Sequence, residues 1–334
     1  MKKIHLRHLV IILLILIAGC KSNNNNLKEI KVASGGHITH FLPFDLANSL
    51  GYFEEEGLKL DITYLKGGTA TAQALLSGQV DFSTNSIDHA FKSAVKGKDN
   101  LRMVVLMNQT PGMVLLVDSK LKNRVTSISD LKGMKLGVTS KGSATHMVLA
   151  YLLYKNGVSP DSVTIFKAGS STFYAALING EIDGGIALEP FASKMVEDGD
   201  AFVLQNLLTM EETKKVFGGP YNQAGIMTTE KYIEENKETV QGFVNAIVKS
   251  LQFIQEHSIQ EIADLLPSEV VGTDKIQYLN TIELLKDFYS RDGFIDPRGV
   301  ENVLNSIISS GEIKSSTYFN SAVFYTNKFI KKNN

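Results

Sequence analysis

Ala74-Leu75-Leu76-Ser77-Gly78-Gln79-Val80-Asp81 is echoed at one constant offset by Ala176-Leu177-Ile178-Asn179-Gly180-Glu181-Ile182-Asp183, and upstream Gly67 and Thr69 match Gly169 and Ser171. Each copy predicts a glycine turn that offers Ser or Thr as a helix cap, followed by two apolar helical turns. Gly78 or Gly180 then ends the helix, and a short strand starts at the apolar residue before Asp81 or Asp183. An Ala-Leu helix ahead of a strand is common in α/β proteins, so coincidence stays open on these residues alone. As repeated strand residues, the two aspartates are expected to accept backbone amides and not to act as an acid/base pair.

Outward from the echo, strand candidates at Ile30–Ala33, Leu60–Tyr64, Leu136–Val138 and Val163–Phe166 alternate with helical patterns at Pro43–Leu50, Ile87–Val95 and Ala144–Asn156. Such alternation predicts an α/β fold with parallel-dominated sheets flanked by helices. Met113–Val117 and Ala224–Met227 are apolar stretches beside Pro111-Gly112 and Gly219-Pro220, suited to carry the chain into a second lobe and back. Two such crossings make a hinge. Beyond Thr229 the pattern turns helical: Val240, Phe243, Val244, Ile247, Val248, Leu251 and Ile254 form one apolar stripe, with further helices suggested at Ile276–Phe288 and Val300–Ile308. Packing against lobe one is their expected role.

The chain has 334 residues and a formal net charge of -1, enough length for two medium lobes or one large domain, with apolar residues for a real core. A basic stretch holding Lys2, Lys3 and Arg7 precedes the unbroken apolar run Leu9–Ala18 and the small-residue sequence Ile17-Ala18-Gly19-Cys20. This is the pattern of a cleaved export leader. An uncleaved anchor is the alternative, but a bilayer needs roughly 20 apolar residues and the run is about half that. Residues 1–19 resemble a lipoprotein signal peptide, with Cys20 as the diacylglyceryl-bearing residue of a lipobox and residues 20–27 as its acylated end and polar tether. The rest of the chain is then expected outside the cytoplasm, anchored to the cell membrane through Cys20. Cys20 is also the single cysteine, which excludes an internal disulfide and a cysteine-cluster metal site. No basic block suits nucleic acid, apart from a short tail at Lys328–Lys332.

Several separated motifs carry a family resemblance: Gly51-Tyr52-Phe53-Glu54-Glu55-Glu56-Gly57-Leu58, Ala74–Asp81, Asp130-Leu131-Lys132-Gly133-Met134-Lys135-Leu136-Gly137-Val138, Leu177–Asp183 and Glu189-Pro190-Phe191. In this order and spacing they resemble the solute-binding proteins of ABC importers for nitrate, sulfonates, taurine and thiamine-pyrimidine precursors. The resemblance implies a type II periplasmic-binding-protein-like fold, with two lobes closing on a ligand. Lobe one is expected over residues 28–116 and 222–334, including the helical C-terminal segment, and lobe two over residues 117–221. A small-molecule ligand, an ABC permease with its ATPase, and a monomeric state are implied, with no cofactor.

In such sheets the strand ends and the following helix N-termini face one crevice, where backbone N–H groups favour acceptor or anionic groups. Candidate contacts are therefore turn residues. After the first strand come His37, Thr39, His40 and Phe41; then Gly68 and Thr69 in a glycine-rich turn; then Asn85 and Ser86. From lobe two come Ser140, Ser143 and Thr145, the repeated turn at Gly169 and Ser170, and Glu189 from the Glu-Pro signature. The family often has an aromatic residue before that glutamate, where Leu188 stands here, and the chain has no tryptophan. Stacking is left to Phe41, Phe173 or Tyr174, the last two serving equally well as helix core. The contact turns contain no arginine, which favours a neutral or singly charged ligand over a strongly charged anion, although backbone amides alone can hold an anion.

Catalytic signatures are missing: the sequence has no Gly-x-Ser-x-Gly, no His-Glu-x-x-His and no phosphate loop. A pyrimidine-precursor synthase shares the fold, but that resemblance implies a cysteine-rich iron motif that a chain with Cys20 alone does not supply. A sensor acting through a signalling partner is the remaining alternative to transport.

Overall fold

β1 (Lys28–Ser34) begins the first sheet by burying Ile30, Val32 and Ala33 completely. The structure, a computed structural model, describes residues 27–317 and 319–331, with the backbone only at Ser170 and Ser171. The expected leader, Cys20 and the tether through Asn26 lie outside the described residues.

Lobe one continues through α1 (Leu42–Ser49), α2 (Tyr52–Glu55), β2 (Leu58–Tyr64), α3 (Gly68–Leu76), β3 (Phe82–Ser86), α4 (Asp88–Ala94) and β4 (Leu101–Leu106). The chain crosses at β5 (Met113–Asp118) into lobe two, which adds β6 (Lys135–Val138), α5 (Ala144–Lys155), β7 (Thr164–Lys167), α6 (Ser170–Ile178), β8 (Gly184–Ala187), α7 (Phe191–Glu197), β9 (Ala201–Leu207) and α8 (Met210–Phe217). It returns at β10 (Ala224–Thr229) and ends in α9 (Glu230–Glu235), α10 (Lys237–Glu256), α11 (Ile259–Asp264), α12 (Ser268–Val271), α13 (Lys275–Leu284) and α14 (Pro297–Ser309). Among the described residues no helix is long and apolar enough to cross a membrane.

The sheets share one design, with strand orders β2-β1-β3-β10-β4 and β7-β6-β8-β5-β9. Neighbours at the β2 and β7 ends pair in parallel, while β10 and β5 run antiparallel to both of their neighbours. The sheets are thus mixed: all strands run one way except the single strand that has just crossed from the other lobe. Within lobe two, β6 and β8 approach so closely at Gly185 (φ +146°) that a Cβ there would lie 2.2 Å from the Gly137 carbonyl oxygen, so only glycine fits.

The repeated aspartates behave alike. Asp81 Oδ2 accepts from the Lys31 amide at 2.9 Å and Asp183 Oδ2 from the Lys135 amide at 2.8 Å, each bracing the neighbouring strand. Two details of the echo differ from expectation. The strands start after the aspartates, at Phe82 and Gly184, where the paired registers with β1 and β6 begin. The helix caps are Gly67 and Gly169 without a side-chain cap, so Thr69 does not cap α3; Thr71 and Thr172 hydroxyls instead donate back to the Gly68 and Gly169 carbonyls.

The stripe of α10 buries Val240, Phe243, Val244, Ile247, Leu251 and Ile254. Phe243 is its anchor, stacked on Phe82 at 4.1 Å and packed against Phe53 at 4.7 Å and Phe44 at 6.5 Å. All four rings are fully buried. The C-terminal helices do not serve lobe one alone, because α14 buries Val300, Val303 and Ile307 where it packs on both α4 and α5 and so spans the hinge. Phe243→Ala is expected to cost about 3–5 kcal/mol, read as a lower urea midpoint with an unchanged m-value.

Candidate functional site

A cavity of about 590 Å³ opens between the lobes where the strand-to-helix turns converge, within the usual range for small-molecule sites of roughly 300–1,000 Å³. Lobe one supplies His37, Ile38, Thr39, His40 and Phe41 after β1, Gly68 at the start of α3, Asn85 and Ser86 at the end of β3, and His89 in α4. Lobe two supplies Thr139, Ala144, Thr145, Leu188 and Glu189, and the hinge adds Gly112, Met113, Gln223 and Ala224. Val270, Tyr278 and Leu285, from the C-terminal helices, complete the wall.

Local hydrogen bonds fix the lobe-one turns. Asn85 Nδ2 donates to the Gly68 carbonyl at 3.2 Å and to Thr71 Oγ1 at 3.0 Å, while its Oδ1 accepts from the Ser86 amide at 2.9 Å. Gly68 is required beside it, since a Cβ there would lie 2.6 Å from the His89 ring. The His40 loop is clamped from the C-terminal side: Tyr289 OH donates to the Thr39 carbonyl at 2.9 Å, and Phe288 meets the His40 ring edge-on at 4.8 Å. His37 Nδ1 lies 3.1 Å from Asp45 Oδ1, with Tyr64 against the other side of its ring at 4.4 Å.

On lobe two, Thr145 Oγ1 accepts from the Thr139 amide at 3.0 Å and shares a 2.8 Å hydrogen bond with Ser143 Oγ. Ser143 also donates to the Ser140 carbonyl at 2.6 Å and caps α5 by accepting from the His146 amide. Of the expected contacts, His37, Thr39, His40, Phe41, Gly68, Asn85, Ser86, Thr145 and Glu189 line the cavity. Thr69, Ser140, Ser143 and Gly169 do not; the hydroxyl of Ser143 is spent on its own turn. The side chain of Ser170 is outside the description. Phe173 is buried core beneath Gly137, and Tyr174 turns away to donate to Asp200 at 2.7 Å, so of the three candidate stacking rings Phe41 is the one in the wall.

Reasoning from turns missed His89, one helical turn past Asn85-Ser86, which the same rule extended by a turn would have found. It also missed Gln223, beside the return strand. Tyr278 left no sequence signal, because α13 reaches the cavity through tertiary packing alone.

Among the described lining residues there is no lysine or arginine, and Glu189 is the carboxylate. Burial raises the Glu189 pKa, although the Ser193 amide, donating at 3.1 Å, offsets part of that. Burial pushes His40 down to about 4, so it is neutral at pH 7, and pushes the Asp45 carboxyl up to about 6 despite His37 beside it. Ser86 Oγ, Gln223 Oε1 and Tyr278 OH are buried and have no partner among the described residues. Unsatisfied buried groups are uncommon in native proteins and call for an explanation; three on one cavity wall suit a ligand carrying complementary groups. No group of three or more His, Cys, Asp or Glu among the described residues is arranged to hold a metal ion.

The depressed pKa of His40 means that the unfolded chain takes up a proton first, so native stability falls as pH drops from 6.5 toward about 4. His40→Leu is expected to lose less stability than the unsubstituted chain across that window, measured by urea denaturation at both ends. NMR titration should place the His40 midpoint near 4.

A family model described as "NMT1/THI5 like" matches residues 38–260. YtlA of Bacillus subtilis (strain 168), named as a candidate binding protein, is 28% identical over 318 residues, covering 94% of this chain and 92% of YtlA. The 4-amino-5-hydroxymethyl-2-methylpyrimidine phosphate synthase of Schizosaccharomyces pombe (strain 972 / ATCC 24843) is 30% identical over 151 residues, 45% of this chain and 42% of that enzyme. The alkanesulfonate-binding protein SsuA from Xanthomonas axonopodis pv. citri, solved with bound MOPS, superposes with a TM-score of 0.67 at 17% identity, covering 90% of this chain and 98% of SsuA. The likeness to SsuA shows a shared periplasmic-binding-protein-like fold, and the match over residues 38–260 shows that the chain belongs to the NMT1/THI5-like family.

Proposed function

We propose that the chain is the substrate-binding subunit of an ABC importer, anchored outside the cytoplasmic membrane through lipid on Cys20 and acting as a monomer that delivers a small ligand to the permease and its ATPase. The observation that carries this reading is one cavity walled by turns from both lobes and bearing unpartnered polar groups. Residues 28–112 with 222–334 form one moving body and 113–221 the other, the expected boundary at 116 shifting because all of β5 is built into the lobe-two sheet. Ligand favours the closed arrangement because only there do Asn85, Ser86 and His89 meet Thr139, Thr145 and Glu189 across it.

Within the sulfonate, nitrate, taurine and thiamine-pyrimidine-precursor range, the wall favours the last class. A sulfonate or nitrate would bring its negative charge to a buried carboxylate without facing a lysine or arginine. A flat, neutral or singly charged heteroaromatic can instead donate to Glu189 and Gln223 and lie against Phe41 and the neutral His40. Binding is favoured over catalysis because the sequence has a single cysteine, in the leader pattern, where a synthase would draw on a cysteine-rich motif.

Thermal-shift and calorimetric titration with thiamine pyrimidine precursors, sulfonates, taurine, nitrate, bicarbonate, riboflavin and short carboxylates tests the reading. A pyrimidine precursor at a hundred times its Kd is expected to stabilise the fold by about 2.7 kcal/mol. Glu189→Ala and Tyr278→Phe should each weaken it roughly tenfold or more, the size of one lost hydrogen bond. Binding of sulfonate or nitrate alone would overturn the ligand class, and silence from every compound on a folded chain would overturn this ligand range and turn the reading toward another ligand or the sensor role.

A further inference from the structure

His89 in the cavity wall and the contact between the lobes depend on the same carboxylate. Asp88, 3% exposed, sits at the start of α4 with its two oxygens facing different partners: Oδ1 lies 3.4 Å from His89 Nδ1, an electrostatic contact without hydrogen-bond geometry, and Oδ2 accepts from Lys92 Nζ at 2.8 Å. Lys92 also donates across the cleft to the Gly142 carbonyl at 2.8 Å. Gly142 lies in the β6–α5 turn, between Thr139 on one side and Ala144 and Thr145 on the other, all three of which line the cavity. Glu312, just past α14, packs against the same glycine.

We infer that Lys92 is a latch holding lobe two against lobe one, and that Asp88 is the positioning residue that couples this latch to the ligand-facing His89. The inference rests on the two-lobe capture reading and extends it by assigning the closing contact. Lys92 has three protons and can serve Asp88 and Gly142 together. Breaking the bond to Gly142 leaves the Asp88–Lys92 pair intact within α4, so the buried carboxylate is not stranded without a cation. A ligand group that bonds His89 draws on the same carboxylate, so contact in the cavity and contact across the cleft are linked through one side chain. Burial alone would favour neutral Asp88, but His89 and Lys92 hold its pKa well below the usual carboxylate range. Burial likewise disfavours a charged His89, yet Asp88 raises it.

The test needs no ligand, so its failure is separable from a failed binding screen. In the full-length chain in detergent, with Cys20→Ser, spin labels at Lys59→Cys and Asp161→Cys, both exposed and on opposite lobes, report the inter-lobe distance by pulsed electron resonance. Lys92→Met is expected to shift the closed-to-open ratio by about tenfold toward longer distances, as the loss of one charge-assisted hydrogen bond would, with the circular dichroism spectrum unchanged. Lys92→Arg should restore the original distribution. An unchanged distribution in Lys92→Met overturns the latch. Asp88→Asn is expected to lengthen the distances and lower the NMR titration midpoint of His89 together; a lowered midpoint with unchanged distances overturns the coupling. If Asp88→Asn does not fold, the Lys92 pair of variants still decides the latch.

Discussion

Each sheet contains an interior strand that belongs, by chain order, to the passage between lobes: β10 lies between β3 and β4, and β5 between β8 and β9. An interior strand is hydrogen-bonded on both sides, so the lobe-two sheet is assembled around the outgoing strand and the lobe-one sheet is complete only once the chain has returned. The crossings are thereby buried strands, with the turns at Pro111-Gly112 and Gly219-Pro220 beside them. This constraint also aims the sheets. The strands that run together in each lobe end at turns facing the same cleft, which is why residues as distant in sequence as His40, Ser86, Thr145 and Glu189 share one cavity wall.

The electrostatic character of that wall follows from what lies just behind it. Acidic side chains stand behind two of the lining histidines, Asp45 behind His37 and Asp88 behind His89, while His40 is held neutral against Phe288. Glu189 faces them from the opposite lobe, with no lysine or arginine among the described lining residues. The C-terminal segment adds its own contribution: α10 supplies mass for the lobe-one core through Phe243, α13 supplies Tyr278 to the cavity, and α14 straddles both lobes. Tyr278 lies beyond residues 38–260, so part of the wall comes from outside the segment that carries the family likeness.

Much of the architecture was legible in local pattern. The Ala74–Asp81 and Ala176–Asp183 copies encode the same helix-ending glycine and the same aspartate just ahead of a strand, and both copies fold alike because those signals act over a few residues through backbone conformation and one side-chain hydrogen bond. The apolar crossings were legible for a similar reason, since Met113–Val117 and Ala224–Met227 are apolar runs that the two sheets bury completely or nearly so. Turn and strand-end residues lie on the cavity wall where the turn itself faces the cleft, as at His37–Phe41 and Asn85-Ser86. Ser143 and Thr69, in turns of the same kind, lie off it. A hydroxyl in a turn can cap its own helix, point to solvent or reach the cleft, and those fates share one sequence.

The sequence by itself determined the periodic elements, their order, the two passages between lobes and the family, because each of these is written in spacing and residue type along a short stretch. Tertiary structure alone decided that Tyr278 and Val270 enter the cavity, that α14 bridges the hinge, and that Lys92 meets Gly142. Those contacts join residues far apart along the chain, and which of them form depends on how whole helices and sheets pack, a property no local stretch of sequence contains.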